Sequence, residues 1–327
     1  MLVNSHSYYS LRYGVLSPKE WLAFFESQPW NAMAITDINN TSACMTVLYL
    51  LRNHARKRPV IGVDFRNGIV PCYVALAKNW EGFRQINDHL SEHLHRKQRF
   101  SSRAPAAALK DAWIIYPLED LPPDALLAPN ELIGVGADQL RFLHLSPHVH
   151  RQHKLIAMPT ATFRGKRDHN AHRLLRAIDE NTLLSKLSKD KQAKEEDRYL
   201  ANDELLSAYV EVPYLLRQAQ QVLEDCKVLL PDEASLNLQT YTGSKQKDLR
   251  LLKKLAYDGI PYRYPTVDFK VKERIEKELE LIAKKNFVSY FLINWDIVNY
   301  AQKRGYFYVG RGSGANSIVA YLLKITD

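Results

Sequence analysis

Ala32-Met33-Ala34-Ile35-Thr36-Asp37, residues 32–37, is a compact apolar run of strand length that ends on a hydroxyl and a carboxylate. Residues 42–56 follow with helical spacing through Val47, Leu50, Leu51 and His54, and residues 60–65 and 69–77 are strand-like again. The same alternation extends outward on both sides. Upstream, Trp21, Leu22, Phe24 and Phe25 predict a short helix with Ser17 at its N-cap and Pro18 at its first position. Downstream, residues 80–95 read as a helix, and 112–116, 132–135 and 154–157 as strands. The order predicts an α/β layer or barrel architecture with mostly parallel strands. Barrel sites gather where strands give way to loops, which singles out His6, Asp37, Asp64 and residues 159–162.

The chain has 327 residues, 46% hydrophobic and 25% charged. At about 150 residues per domain that suggests two domains, and it excludes a disordered or collagen-like chain. No stretch reaches the roughly 18 apolar residues of a membrane span, and the first residues carry no basic, apolar leader pattern. Cys44, Cys72 and Cys226 lie far apart, which excludes a disulfide framework or a CxxC zinc site and fits a reducing cytoplasm. Lys plus Arg outnumber Asp plus Glu by 45 to 36, a net charge of +9 that favours polyanionic partners.

From about Asp168 to Leu230 the pattern is helical, and Leu230-Pro231-Asp232 reads as a break between domains. The last third is helix-rich, with amphipathic patterns over 247–257 and 271–285 and an aromatic-rich apolar helix over 290–300 that reads as core. Residues 306–309 predict a short strand. It runs into Gly310-Arg311-Gly312-Ser313-Gly314-Ala315-Asn316, after which 317–324 resumes as a helix. Glycines let backbone N–H groups turn toward one point, and a helix start adds unpaired donors, so the segment suits phosphate. It is not a Walker A loop, having no Gly-Lys-Ser/Thr, and a packing turn is the alternative. Two histidine sets, His148-x-His150-x-x-His153 and His89, His93 and His95, have ligand-like spacing, but their basic neighbours disfavour a metal.

Taken together, these segments make the sequence resemble the N-terminal part of the bacterial DNA polymerase III alpha subunits, the replicative C-family polymerases. His6-Ser7-x-x-Ser10 with Gly14 is similar to that family's opening segment. Ala34-Ile35-Thr36-Asp37 and Ile61-Gly62-Val63-Asp64 are similar to its next two strand ends. Leu76-Ala77-Lys78-Asn79-x-Glu81-Gly82 is similar to a helix entry. The block from Tyr290-Phe291-Leu292-Ile293 through Gly310-Arg311-Gly312-Ser313-Gly314 to Ile325-Thr326-Asp327 resembles the family almost residue for residue.

The resemblance implies a PHP domain, a distorted (β/α)7 barrel, over residues 1–233, followed by the first part of a polymerase palm over 234–327. It implies that Gly310, Arg311, Gly312 and Ser313 hold the triphosphate of an incoming nucleotide. The family's catalytic carboxylates, which hold Mg²⁺, are expected beyond this segment, so the chain reads as a fragment that is inactive by itself. The expected partners are primer–template DNA, deoxynucleoside triphosphates and other replicase subunits such as a sliding clamp, in the cytoplasm, with no membrane. The metal positions of the PHP type depart from the family: His6, Asp37, Asp64 and Cys72 remain as a degenerate set, with Asn4, Ile38, Thr160 and Thr162 where other ligands are usual. Apolar, hydroxyl and amide groups do not hold a multi-metal cluster, so a structural PHP domain with no bound metal is expected. A metal-dependent PHP phosphoesterase and a non-catalytic nucleic-acid-binding module are the alternatives.

Overall fold

The computed structural model describes residues 1–230, 237–266 and 268–326. The chain divides into two compact units, Met1–Pro231 and Asp232–Asp327. Of the break expected at Leu230-Pro231-Asp232 only Leu230 is described; Pro231, Asp232 and the boundary at 233/234 lie outside the described set, as does Asp327 of the closing block.

The first unit is mixed α/β. In order it contains β1 (Asn4–Ser5), α1 (Pro18–Ser27), β2 (Ala32–Ile35), α2 (Ser42–Leu51), β3 (Arg58–Asn67), β4 (Val70–Ala77) and α3 (Trp80–Arg96). Then come β5 (Ala112–Pro117), β6 (Glu131–Val135), β7 (Leu155–Ala157), β8 (Thr160–Ala161), α4 (Lys166–Asp179), α5 (Asn202–Ala208) and α6 (Pro213–Asp225). Strands β2 to β7 form one sheet in sequence order, and β1 pairs with β8. The pairs β1/β8, β2/β3, β5/β6 and β6/β7 are parallel. The hairpin β3/β4 and the pair β4/β5 are antiparallel, a local departure from the expected alternation. Gly68, at φ 67°, makes the tight hairpin turn.

The sheet curls. The Ala34 and Thr36 N–H groups of the β2 region donate to the Leu2 and Ser5 carbonyls (2.9 Å each), so β1 lies beside β2 as well as β8. Helix α6 packs on both β7 and β2, the two ends of the row. Strands β2, β6 and β7 are buried along their whole length, as expected for strands covered on both faces.

Local chemistry sets the helix ends. Ser17 and Glu20 form a reciprocal capping box with Pro18 next to the cap. Asn79 caps α3 by accepting from the Gly82 N–H (2.9 Å). Gly82 must be glycine because a Cβ there would stand 1.9 Å from the Asp111 carbonyl oxygen. Helix α2 is shorter than the expected 42–56. The His54 ring accepts the Arg56 and Lys57 N–H groups (3.2 and 2.9 Å) and turns the chain toward β3.

The second unit is helical: α7 (Lys245–Asp258), α8 (Ile260–Arg263), α9 (Phe269–Lys284), α10 (Val288–Lys303) and α11 (Ile318–Leu322). Leu252, Ile275, Leu279, Leu292 and Val319 meet in its core. Two expectations fail here. Residues 306–309 form no strand; the Tyr306 N–H instead returns to the Ala301 carbonyl (2.9 Å), and Gly305, at φ 68°, closes α10. Helix α10 is not a core helix. It buries Ser289 and Leu292, while Tyr290, Ile297 and Tyr300 are exposed, because the other helices cover one side only. Among the described residues no helix is long and apolar enough to cross a membrane.

Candidate functional site

Two groups of residues carry chemistry, one in each unit. In the first unit, the end of β1 brings His6 against Asp64 of β3. His6 Nε2 donates to Asp64 Oδ2 (3.0 Å), and His6 Nδ1 accepts from the Thr162 hydroxyl (3.0 Å). Asn4 Nδ2 bridges Asp64 Oδ2 and Thr160 Oγ1, at 3.3 Å from each. Arg66 sets both Nε (3.0 Å) and Nη2 (2.7 Å) on the same Oδ2. All of this is interior: His6 is fully buried, Asp64 1% exposed and Arg66 6% exposed.

Electrostatics follows from that packing. Burial opposes ionisation of Asp64, but the Arg66 guanidinium and the His6 hydrogen bond overcome it and hold the carboxyl down at about 2. Burial lowers the His6 pKa against the pull of Asp64, which leaves the ring neutral and Arg66 as the counter-ion. The Arg66 guanidinium also lies 5.0 Å from the centre of the Tyr13 ring. Beside it, burial pushes the Asp197 carboxyl up to about 6, against a hydrogen bond from the Lys194 N–H. Asn4, Tyr13, Asp64, Arg66, Thr160 and Asp197 all line one cleft of about 450 Å³.

The expected strand-end residues therefore converge only in part. His6, Asp64, Thr160 and Thr162 meet. Asp37 does not join them: its Oδ1 accepts the Ser7 N–H and Ser10 hydroxyl and its Oδ2 the Ser7 hydroxyl, each at 2.7 Å. This explains the Ser7-x-x-Ser10 spacing, which folds a loop onto a buried carboxylate. Cys72 is bound by Asn67 Nδ2 (3.3 Å), and burial raises its thiol pKa. Arg66 was missed, although its place two residues after Asp64 puts both side chains on one face of a strand. Asp197 lies in a loop far along the chain, and no sequence pattern signals it. Of the spaced histidines, His148 is buried against the Leu121 carbonyl (2.9 Å), and His89 binds the Tyr73 hydroxyl (2.7 Å).

In the second unit, the glycine loop leads through a 3₁₀ turn, residues 313–316, into α11. Gly310 lies against Thr326, where a Cβ would come within 2.5 Å of the threonine methyl. Gly312 adopts φ 93° in open space, so the backbone conformation, not crowding, requires glycine. Among the described residues, no N–H of 310–314 finds an intramolecular acceptor, and Arg311, Gly312 and Gly314 are exposed. The Ser313 side chain is outside the described set. The helix start contributes no free donors, contrary to expectation: Glu278 accepts the N–H groups of Ile318 (3.1 Å) and Val319 (3.3 Å). The donors left open at this loop are therefore the N–H groups of 310–314 and the Arg311 side chain, and not the start of α11.

Comparison with known proteins places both units in one context. Residues 250–327 match the family model described as the bacterial DNA polymerase III alpha NTPase domain. A DNA polymerase III subunit alpha of Ureaplasma parvum is 28% identical over 99% of this chain and 32% of its own length. The subunit alpha of Escherichia coli O157:H7 is 25% identical over 98% of the chain and 32% of its length. An error-prone DNA polymerase of Symbiobacterium thermophilum is 30% identical over 53% of the chain and 16% of its length. The chain thus spans about a third of the length of the relatives that match it from end to end.

Proposed function

We propose, for a chain similar along nearly its whole length to bacterial DNA polymerase III alpha subunits, a role in DNA-templated DNA synthesis during bacterial replication. In this reading the whole protein is a cytoplasmic nucleotidyltransferase. It takes primer–template DNA, deoxynucleoside triphosphates and Mg²⁺, and works with other replicase subunits such as a sliding clamp. No residue of 1–327 is assigned to the Mg²⁺, and the 327-residue chain by itself is expected not to extend a primer. Extension by the purified chain, surviving removal of contaminating polymerase, would refute that expectation.

The second unit is read as the beginning of the palm, with Gly310, Arg311, Gly312 and Ser313 receiving the triphosphate. The observation that carries this is the run of N–H groups over 310–314 with no acceptor among the described residues, Arg311, Gly312 and Gly314 being exposed, inside the segment matched by the NTPase-domain model. Preorganised N–H donors stabilise phosphate charge without reorganising. Arg311 adds a charge-assisted contact worth about 1.5–3 kcal/mol. Arg311→Ala is therefore expected to weaken triphosphate binding by about ten- to a hundredfold. Gly312→Val is expected to do worse, since a β-branched residue resists φ 93°. Equal affinity in Arg311→Ala and the parent chain, by titration calorimetry, would reject the loop as a phosphate site.

The first unit is read as a PHP-type distorted (β/α)7 barrel with a structural role. Its residues do not fit a multi-metal cluster. Arg66 already neutralises Asp64, the Asp37 carboxylate is taken up by Ser7 and Ser10, and Asn4, Thr160 and Thr162 are neutral ligands at best. A guanidinium seated on the central carboxylate disfavours the phosphoesterase alternative.

A further inference from the structure

Two residues of α9 reach the far end of the glycine loop. Glu278 accepts the Ser317 hydroxyl as well as the Ile318 and Val319 N–H groups. Arg274, one turn earlier, donates Nη2 to the Asn316 carbonyl (3.2 Å). Spacing of four puts the guanidinium and the carboxylate on one face of the helix. The first meets the loop's last carbonyl, and the second meets the donors that follow it. Ser317 completes the joint by accepting from the Ala320 N–H (3.0 Å). The front of the loop is fixed separately, by Gly310 against Thr326. Within the turn, the Ala315 and Ser317 N–H groups return to Gly312 and Gly314 carbonyls (3.0 and 3.1 Å).

We propose, on the reading that this loop receives a triphosphate, that Glu278 and Arg274 are its positioning residues. They anchor residues 316–319 so that the N–H groups of 310–314 stand in place before the ligand arrives. Ordering the loop in advance removes that entropy from the cost of binding. Neither side chain touches the phosphates. The sign of the effect is diagnostic, because Glu278 is itself an anion. If it merely occupied the helix start, removing it would relieve repulsion and tighten triphosphate binding. If it positions the loop, removing it weakens binding despite the lost negative charge.

The test titrates tripolyphosphate and deoxyadenosine triphosphate into the 327-residue chain and its variants, well below their melting temperatures. Amide exchange is followed on the same samples. Glu278→Ala is expected to weaken triphosphate binding about tenfold, with Glu278→Gln, which keeps one acceptor oxygen, in between. Amide exchange should quicken at Ala315 and Ser317 as well as at Ile318 and Val319, since the whole turn loosens. Unchanged or tighter binding in Glu278→Ala, with Arg311→Ala still defective, overturns the positioning role and leaves the phosphate reading standing. Exchange that quickens at Ile318 and Val319 alone overturns it as well. If the parent chain binds no triphosphate, or Arg311→Ala binds as well as the parent, the phosphate reading fails and takes this inference with it.

Discussion

Arg66→Met is expected to lower the unfolding free energy by about 3–5 kcal/mol, the usual consequence of leaving one partner of a buried ion pair alone. Asp64 is 1% exposed, and its Oδ2 would keep only neutral or weak donors, His6 and Asn4. Its Oδ1 has no partner among the described residues even with Arg66 present. Asp197 would lose one of the two cations that offset its burial, with Lys194 remaining. The carboxyls then take up protons or the cleft opens to water, and either route costs stability. Asp64→Asn in the same chain removes the stranded charge, so the double variant should recover most of the loss. Urea denaturation of the two single variants and the double variant measures the coupling. A loss under about 1 kcal/mol for Arg66→Met would mean that the pair is solvated through the cleft rather than desolvated.

The helices of the first unit were legible from one apolar face at helical spacing, and its central strands from short apolar runs covered on both faces. Residues 32–35 are apolar throughout and 60–65 apolar except for Gly62 and Asp64, and Ser17-Pro18 announces α1 with its own capping chemistry. What failed was wherever a tertiary partner outvotes the local pattern. Residues 306–309 are β-branched and aromatic enough for a strand, but a strand needs a neighbour, and in a helical unit their backbone is drawn into closing α10. The three strand-end candidates looked equivalent in sequence. Asp64 became the hub because Arg66 shares its strand face, whereas Asp37 became a loop anchor because two serines lie within reach. The glycine loop was legible as a donor-rich turn. That the helix after it is capped by Glu278 was not, since the contact joins residues about forty positions apart.

Acidification should cost the first unit the stability contributed by His172 before most of its carboxylates titrate, Asp197 at about 6 being the exception. His172 is fully buried between Tyr13 and the loop before Arg198. Its Nδ1 donates to the Tyr13 carbonyl (2.6 Å), and its Nε2 accepts the Ala193 N–H (2.8 Å). That pairing fixes the neutral ring, because a proton on Nε2 would face an N–H. Burial lowers its pKa to about 4, overcoming the Tyr13 carbonyl, with His169, Arg176 and His6 acting in the same direction as burial. In the unfolded chain the ring titrates near the ordinary 6.5. Between those values the unfolded state holds the extra proton, so stability falls as pH falls from about 6.5 to 4. A fully buried group with this shift contributes on the order of 3 kcal/mol across the window. His6, lowered by burial, adds to the slope in the same direction. Asp64 acts later: its carboxyl is held at about 2, so its contribution is intact above the ordinary carboxylate range and is lost only as pH falls toward 2. Asp197, raised to about 6, works against this slope, because the folded state holds its extra proton as pH falls below about 6. The His172 contribution is therefore read as the difference in urea midpoints between the parent chain and His172→Leu from pH 7.5 to 4.5. His172→Leu should start lower, because the Ala193 N–H is stranded, yet fall less steeply over the same range. An undiminished slope in His172→Leu would show that the ring is not held neutral between Tyr13 and Ala193.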